Sequence, residues 1–443
     1  MSLPPPQSSV QKLQAALQAK ANAEPGYRFY RLWDKVWRHD VLAESYRRCR
    51  ANGGVAGVDR VTFKQIESDG VEAWLGNLQE ELRRKTYVAQ PLLRVWIPKS
   101  NGGRRPLGIP TIRDRVVQMA MLRVIGPIFE PDLCDEQYGF RTGVDAKMAI
   151  RRVYYHVTQR GLREVVDADL SDYFNTIPHG PLMRCLSRRI ADGQVLSTIK
   201  QWLRAPVVEC QSRQERRTTE AGDQNRGTPQ GGVISPLLAN LYFRRFVLAW
   251  KKFGIEQRLG ARIVNYADDL VICCRPGNGP SAMTSLRELM TRLGLTVNER
   301  KTRLATLPQE SIDFLGYTIG RFYRGRNGRP YIGTQPSKKA MRKLLVRVHE
   351  ATSSRWHWQP PPVKVQQLNR LLRGWCGYFD QGPVGRAYRV IRKSTERRLR
   401  RWLMRRSKRR GTGYKQYPDR YLYDRLGLFK PPESRIGRLN AKA

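Results

Sequence analysis

Ile263-Val264-Asn265-Tyr266-Ala267-Asp268-Asp269-Leu270-Val271-Ile272 carries the strongest chemical signal in this chain. Two adjacent carboxylates sit between two apolar strand halves, a pattern that predicts a hairpin over 261–274 with the acids at its tight turn. Asp is ordinary turn material, so the pair alone fits a plain hairpin as well as a site. The apolar flanks add weight, because carboxylates beside a buried strand are costly unless a cation neutralises them. A second strand, Glu164-Val165-Val166-Asp167-Ala168-Asp169, also ends in acids and runs into Leu170-Ser171-Asp172-Tyr173-Phe174. Two-metal nucleotidyl transfer needs carboxylates from separate strands converging on two Mg²⁺ about 3.5–4 Å apart. On that chemistry Asp169 and Asp268 are the natural bridging ligands and Asp269 the third carboxylate. Asp167 and Asp172 read instead as turn partners or helix N-caps.

Composition narrows the partner. The 443 residues carry 81 Lys and Arg against 38 Asp and Glu, a formal net charge of +43. The excess runs along the whole length, and a solubilising surface needs only about 2–8 net charges on a small domain. A long polyanion explains the surplus better. Membrane phospholipid is disfavoured: no segment offers the roughly 18 uncharged apolar residues of a spanning helix, and Met1-Ser2-Leu3-Pro4-Pro5-Pro6 does not resemble a signal peptide. Nucleic acid is the expected partner. Seven cysteines and five histidines show no metal-ligand spacing, so reduced core cysteines in a cytosolic protein are expected.

Hydrophobic period and turn residues give a coarse map. Residues 1–26 read as a loosely held arm with one short helix, and 27–46 as a basic helix. A helix over 71–85 precedes a hairpin made of 93–99, a turn at 100–103, and 105–109. Helices follow at 112–130 and 144–159, then the strand 164–169 and helices near 180–203. The Gly-rich turn 226–232 opens a helix over 234–250. A helix at 281–293 and strands at 303–306 and 313–319 come after the acidic hairpin. Residues 352–362 read as a linker, and the rest is helical and basic. Strands alternating with helices, then an all-helical end, predict an α+β core with a separate helical domain.

Tyr266-Ala267-Asp268-Asp269 resembles the signature of reverse transcriptases, and its surroundings resemble the group II intron-encoded branch. The resemblance runs in order through Tyr27-Arg28-Phe29-Tyr30-Arg31-Leu32, Trp96-Ile97-Pro98-Lys99, Arg105-Pro106-Leu107-Gly108-Ile109-Pro110-Thr111 and Tyr138-Gly139-Phe140-Arg141. It continues through Phe174-Asn175-Thr176-Ile177-Pro178-His179, Arg226-Gly227-Thr228-Pro229-Gln230-Gly231-Gly232, Phe314-Leu315-Gly316-Tyr317 and Leu371-Leu372-Arg373-Gly374-Trp375. It implies a right-hand polymerase: an N-terminal extension and start of fingers over 1–70, fingers over 71–160, a palm over 161–333, a helical thumb or maturase domain over 334–400, and a basic DNA-binding-like region over 401–443.

The resemblance also implies roles. The metal set becomes Asp169, Leu170, Asp268 and Asp269, holding two Mg²⁺. Lys99 and Arg105 would fold over the triphosphate of an incoming dNTP, although two exposed hairpin cations are otherwise worth little. Phe174 would press on the sugar and exclude a 2′-hydroxyl, or simply pack in the core. Pro229 and Gln230 would touch nucleotide and template, or merely open a helix. Lys301 would stand near the leaving phosphate. Implied partners are the intron RNA, an RNA template–primer duplex and target DNA, with room for a homodimer and no membrane. In the helices after 365, Trp375, Tyr378, Phe379 and Trp402 suit stacking along a backbone-tracking groove, though ordinary helix cores cover most of them. The arginine-rich run 397–410 is harder to assign to a core. No Cys/His endonuclease motif follows, so an endonuclease-lacking bacterial lineage is expected. Three rivals remain: an RNA-binding splicing factor with a decayed polymerase site, a host-co-opted enzyme, and an RNA-dependent RNA polymerase, which Phe174 and Tyr266-Ala267 disfavour.

Overall fold

The computed structural model describes residues 8–98, 103–211, 214–324, 327–432 and 436–437. In chain order, Leu92–Pro98 (β1) and Arg104–Ile109 (β2) form the first hairpin, and Glu164–Asp169 (β3) is the first acid-bearing strand. Val207–Gln211 (β4) and Gln214–Thr218 (β5) form a second hairpin. Arg262–Tyr266 (β6) and Asp269–Cys274 (β7) make the acidic one, followed by Arg303–Thr306 (β8). Ile312–Phe314 (β9), Tyr317–Tyr323 (β10) and Pro330–Pro336 (β11) form a small antiparallel sheet of their own.

The central sheet has the order β6-β7-β3-β8, all antiparallel. Its register follows from apolar residues at both parities of the strands, which let each face be buried. Val166, Ala168, Leu270 and Ile272 face the large core, roofed by the helices Ser235–Lys252 and Gly279–Arg292. Val165, Val264, Val271 and Cys273 face the other way into a second core, where the helix Ala146–Thr158 lies across β6 and β7. The acids share that second face, because Asp167 pairs with Val271 and Asp169 with Asp269. At the open end of the sheet no apolar neighbour follows them, so charge collects there.

Beyond the small sheet, the helices Lys338–Ala351, Pro361–Tyr378 and Gly385–Arg406 pack as a bundle around Leu344, Val348, Leu368, Leu372, Ile391 and Leu399. Trp402 is buried in it at 1% exposure. Phe379 stacks on Trp375 (4.5 Å) and Tyr317 (5.0 Å), fastening the bundle to β10. These rings are therefore core material. Arg400, inside the arginine run, is also fully buried: it pairs with Asp419, donates to the Tyr417 carbonyl and lies 4.3 Å from the Tyr414 ring. Arg397, Arg401, Arg405 and Arg406 stay exposed.

Several expectations needed correction. The N-terminal arm is a 15-residue helix, Ser9–Ala23, closed by a Ser8/Gln11 capping box. It buries Val10, Leu17 and Ala21 against the helix Ile112–Phe129, so it is docked and not loose. The basic helix of 27–46 begins late: Phe29 is extended and bridges Ile190, and Asp192 accepts from the amides of Leu32 and Trp33 at 2.8 Å each. Helix then runs over Trp33–Val36 and His39–Asn52. In the supposed linker, Pro361 and Pro362 are the opening turn of a helix, where proline's fixed φ and missing donor cost nothing. The β4–β5 hairpin and β11 were not foreseen.

Candidate active site

The hairpin that carries Asp268 and Asp269 turns through Ala267 and Asp268, with Ala267 in the left-handed region at φ +58°. A two-residue turn matches the twist of the flanking strands only with a positive φ, and an L-residue holds it at some cost unless its surroundings fix it. Two neighbours do so. Asn265, fully buried, donates its Nδ2 to the carbonyls of Ala267 (2.8 Å) and Asp269 (3.2 Å). Gly139 lies against the turn so closely that a Cβ there would stand 2.3 Å from the Ala267 nitrogen. The Gly139 carbonyl is held in turn by Asn240 Nδ2 at 2.7 Å, and Tyr138 N donates to Asn265 O. Arg141, from the same segment, closes its own loop on Glu130 and the carbonyls of Cys134 and Gln137.

Asp169 reaches the same end of the sheet. Its main chain is held by Asn298 N (2.8 Å to its carbonyl) and Thr302 Oγ1 (3.2 Å from its amide). Its carboxylate accepts from Asn298 Nδ2 and pairs with Lys301 Nζ, each at 3.0 Å. Burial first, then the charges of Asp268, Asp167 and Asp169, push Asp269 up to about 6. Burial likewise raises Asp167, against the pull of Arg303. Asp167 is thus a strand residue facing Arg303, neither a turn partner nor a cap. Asp172 sits before a short helix at φ +50° and accepts from Asn175. Leu170 is buried in the large core and bridges Val297, so its side chain has no role in a polar site.

From the opposite side, the β1–β2 hairpin brings Arg105 to the acids. Its Nη2 is 3.9 Å from Asp268 Oδ2 and its Nε donates to Gln230 Oε1 at 3.0 Å. Gln230 is fixed by its main chain, which accepts from Gly108 N at 2.8 Å. Gly231, at φ +115°, allows that approach, since a Cβ would meet the Gly108 carbonyl at 2.7 Å. Phe174 is nearly buried at 9% exposure and its carbonyl accepts from Thr228 N. Pro229 and Gln230 also edge a cavity of about 260 Å³ shared with Pro106, Gly108 and Asp172. Lys99 lies outside the described residues. Asp169, Asp268, Asp269, Arg105, Gln230 and Lys301 therefore share one neighbourhood. Asn265, Gly139, Asn298 and Thr302 complete it; Asn265 and Gly139 lie within quoted motifs, but residue type alone assigns none of the four to the site.

The family model for reverse transcriptase (RNA-dependent DNA polymerase) matches residues 97–319, from β1 to within β10, enclosing all three carboxylates. This chain belongs to the reverse transcriptase family. A second match, to the group II intron maturase-specific domain, covers residues 341–421 and so most of the helical bundle. It is 37% identical to protein YkfC of Escherichia coli K12 over 242 residues, 54% of this chain and 61% of that protein. It is 31% identical to the group II intron-encoded protein LtrA of Lactococcus lactis over 237 residues, 52% of this chain and 37% of that one. The putative COX1/OXI3 intron 1 protein of Saccharomyces cerevisiae aligns over 420 residues at 24% identity, 77% of this chain and 49% of that protein. The chain thus spans under two thirds of the length of these relatives. No helix among the described residues is long and apolar enough to cross a membrane.

Proposed function

We propose that this chain is an RNA-directed DNA polymerase that binds a group II intron RNA, assists its splicing and copies it into DNA. The observation that carries the reading is the pairing of Asp169 with Asp269 across adjacent strands, with Asp268 at the turn beside them. In this conformation no three His, Cys, Asp or Glu side chains among the described residues are gathered into a cation cage. Asp169 is turned onto Lys301 and Asn298, and Asp268 faces Arg105. The donor set still fits hard divalent ions: it is all oxygen, and burial, then crowding of like charge, lifts Asp269 to about 6. Asp169, Asp268 and Asp269 would hold two Mg²⁺, with any share of Leu170 falling to its main-chain carbonyl. When bound, the ions supply activation of the primer 3′-hydroxyl and neutralisation of the leaving pyrophosphate.

The chain's own groups do the rest. Arg105 stands where its guanidinium can leave Asp268 for the triphosphate of a dNTP, with Lys99 proposed beside it. Lys301 has a matching alternative, since its contact with Asp169 is half-exposed and worth little by itself. Gln230 and Pro229 would guide the templating base, and the Phe174 ring would sit below the sugar as a barrier to a 2′-hydroxyl. In this reading β1–β2 with its flanking helices are the fingers, the central sheet is the palm, and the bundle from Lys338 is the thumb. The exposed arginines of Gly385–Arg406 would follow the nucleic-acid backbone, with target DNA a further partner of the basic C-terminal end. Primer extension on an RNA template with Mg²⁺ tests the reading. DNA synthesis from dNTPs is expected, and synthesis from NTPs alone, or none, would overturn it.

A further inference from the structure

A second concave basic site lies apart from the carboxylates. The helices His179–Ser187 and Ser235–Lys252 pack together and, with the turn Pro25-Gly26, enclose a cavity of about 460 Å³. Arg184, Arg188, Arg189, Arg244 and Arg245 line it, with Asp132 as the one carboxylate among the lining residues. Arg189 is a structural clamp. At 2% exposure it donates to the carbonyls of Ala21 (2.7 Å) and Glu24 (2.9 Å), and its Nε faces Asp132 at 3.4 Å. Asp132 is therefore already matched.

Four arginines remain. Arg244 donates to the Asp132 carbonyl and Arg245 to the Tyr242 hydroxyl at 3.3 Å, both neutral acceptors. Arg184 and Arg188 are exposed at the cavity mouth. All four line the same cavity as Cys185, whose thiol burial pushes up against the pull of their charges. No lining residue belongs to the carboxylate trio, to the Arg105–Gln230 contact or to the helical bundle. Guanidinium groups gathered in a concavity repel one another unless an anion lies between them, and their planar donors match phosphate oxygens. Pro181, Leu241 and Leu248 in the lining give a sugar or base an apolar surface to rest on.

We propose that this cavity anchors a phosphodiester segment of folded RNA outside the template–primer duplex. The proposal rests on the RNA-binding reading above, and it adds a second point of attachment on the palm. The full chain carrying Arg184→Glu and Arg188→Glu is compared with the unsubstituted chain on two probes, a transcribed group II intron RNA and a short RNA template with a DNA primer. Affinity for the long RNA should fall by about tenfold or more, and its log–log salt slope should shrink by roughly 1.5, as for two lost phosphate contacts. Extension of the short duplex should stay within about twofold of the unsubstituted chain, and Arg184→Lys with Arg188→Lys should restore the long-RNA affinity only in part, since charge returns without the planar fork. Unchanged long-RNA affinity overturns the proposal. So does an equal loss in Arg83→Glu with Arg84→Glu, a pair of exposed arginines elsewhere, because the effect would then be net charge alone. If the glutamate pair melts early, Arg184→Gln with Arg188→Gln replaces it under the same criteria. Failure of the unsubstituted chain to extend the short duplex would sink the polymerase reading alone, since RNA affinity is read separately.

Discussion

The acidic hairpin and the arginine-rich helix of the bundle hold charge in opposite ways. The hairpin concentrates it. Register places Asp169 opposite Asp269, and Asn265, Gly139 and Asn298 fix the backbone around them. The helix Gly385–Arg406 spreads its charge: Arg400 is spent inside the core on Asp419, while Arg397, Arg401 and Arg405 point outward along successive turns. A site that must place ions tolerates little displacement, whereas a surface that follows a polyanion draws on many partly redundant contacts. The first should break at single positions, and the second should weaken by increments.

Gly139→Ala offers the sharpest break. The new Cβ cannot coexist with the Ala267 nitrogen at 2.3 Å, so the turn must shift, at roughly 1–3 kcal/mol of stability for an overpacked contact. Melting should fall, and primer extension should fall far more than RNA affinity. Equal losses in both would mean that the hairpin is no more position-sensitive than the rest.

The helix behind the hairpin supplies a pH test. Burial, then Arg152, Arg262 and Arg160, hold His156 down at about 4, against 6.5 in an unfolded chain. Below pH 6.5 the unfolded chain takes up a proton that the folded one refuses. Stability should therefore drop as pH falls from 6.5 to about 4 and level off below, by up to about 3 kcal/mol from this residue. His156→Phe should flatten that part of the curve, and identical pH profiles for the two proteins would refute the assignment.

On the helical side, Arg397→Gln, Arg401→Gln and Arg405→Gln together should lower the salt slope of RNA binding by about 2, with melting nearly unchanged. Primer extension at saturating RNA should persist. A collapse of extension at saturation would show that the helix positions the duplex as tightly as the hairpin positions the acids.

Much of this contrast is legible in the sequence, and unevenly so. The strands β3, β6 and β7 announce themselves because apolar runs stop at acids. The helices Ile112–Phe129 and Ser235–Lys252 are legible as long apolar stretches that open after a Thr cap and a Gly-rich turn. The β4–β5 hairpin does not, since Glu209, Gln211, Glu215, Arg216 and Arg217 read as loop. It forms because Leu92 and Leu93 of β1 offer a parallel edge to Val207 and Val208. The docking of the N-terminal helix hides for another reason: Val10, Leu17 and Ala21 are a sparse stripe, and their partner helix Ile112–Phe129 lies far along the chain. Within the site, residue type pointed to the three carboxylates, and the resemblance to a known family to Arg105, Gln230 and Lys301. Residue type could not reveal Asn265 or Thr302, whose importance lies in which main-chain atoms they reach, nor that Lys301 would rest on Asp169.

The central claim is that the carboxylates brought together by the hairpin and β3 carry DNA synthesis. Primer extension by an Asp268→Ala protein, alongside its RNA affinity, tests it most directly. Loss of a ligand worth several kcal/mol should cut synthesis by roughly a thousandfold or more while RNA affinity stays within a few-fold. An Asp268→Ala protein that still extends a primer on RNA at a comparable rate would contradict it.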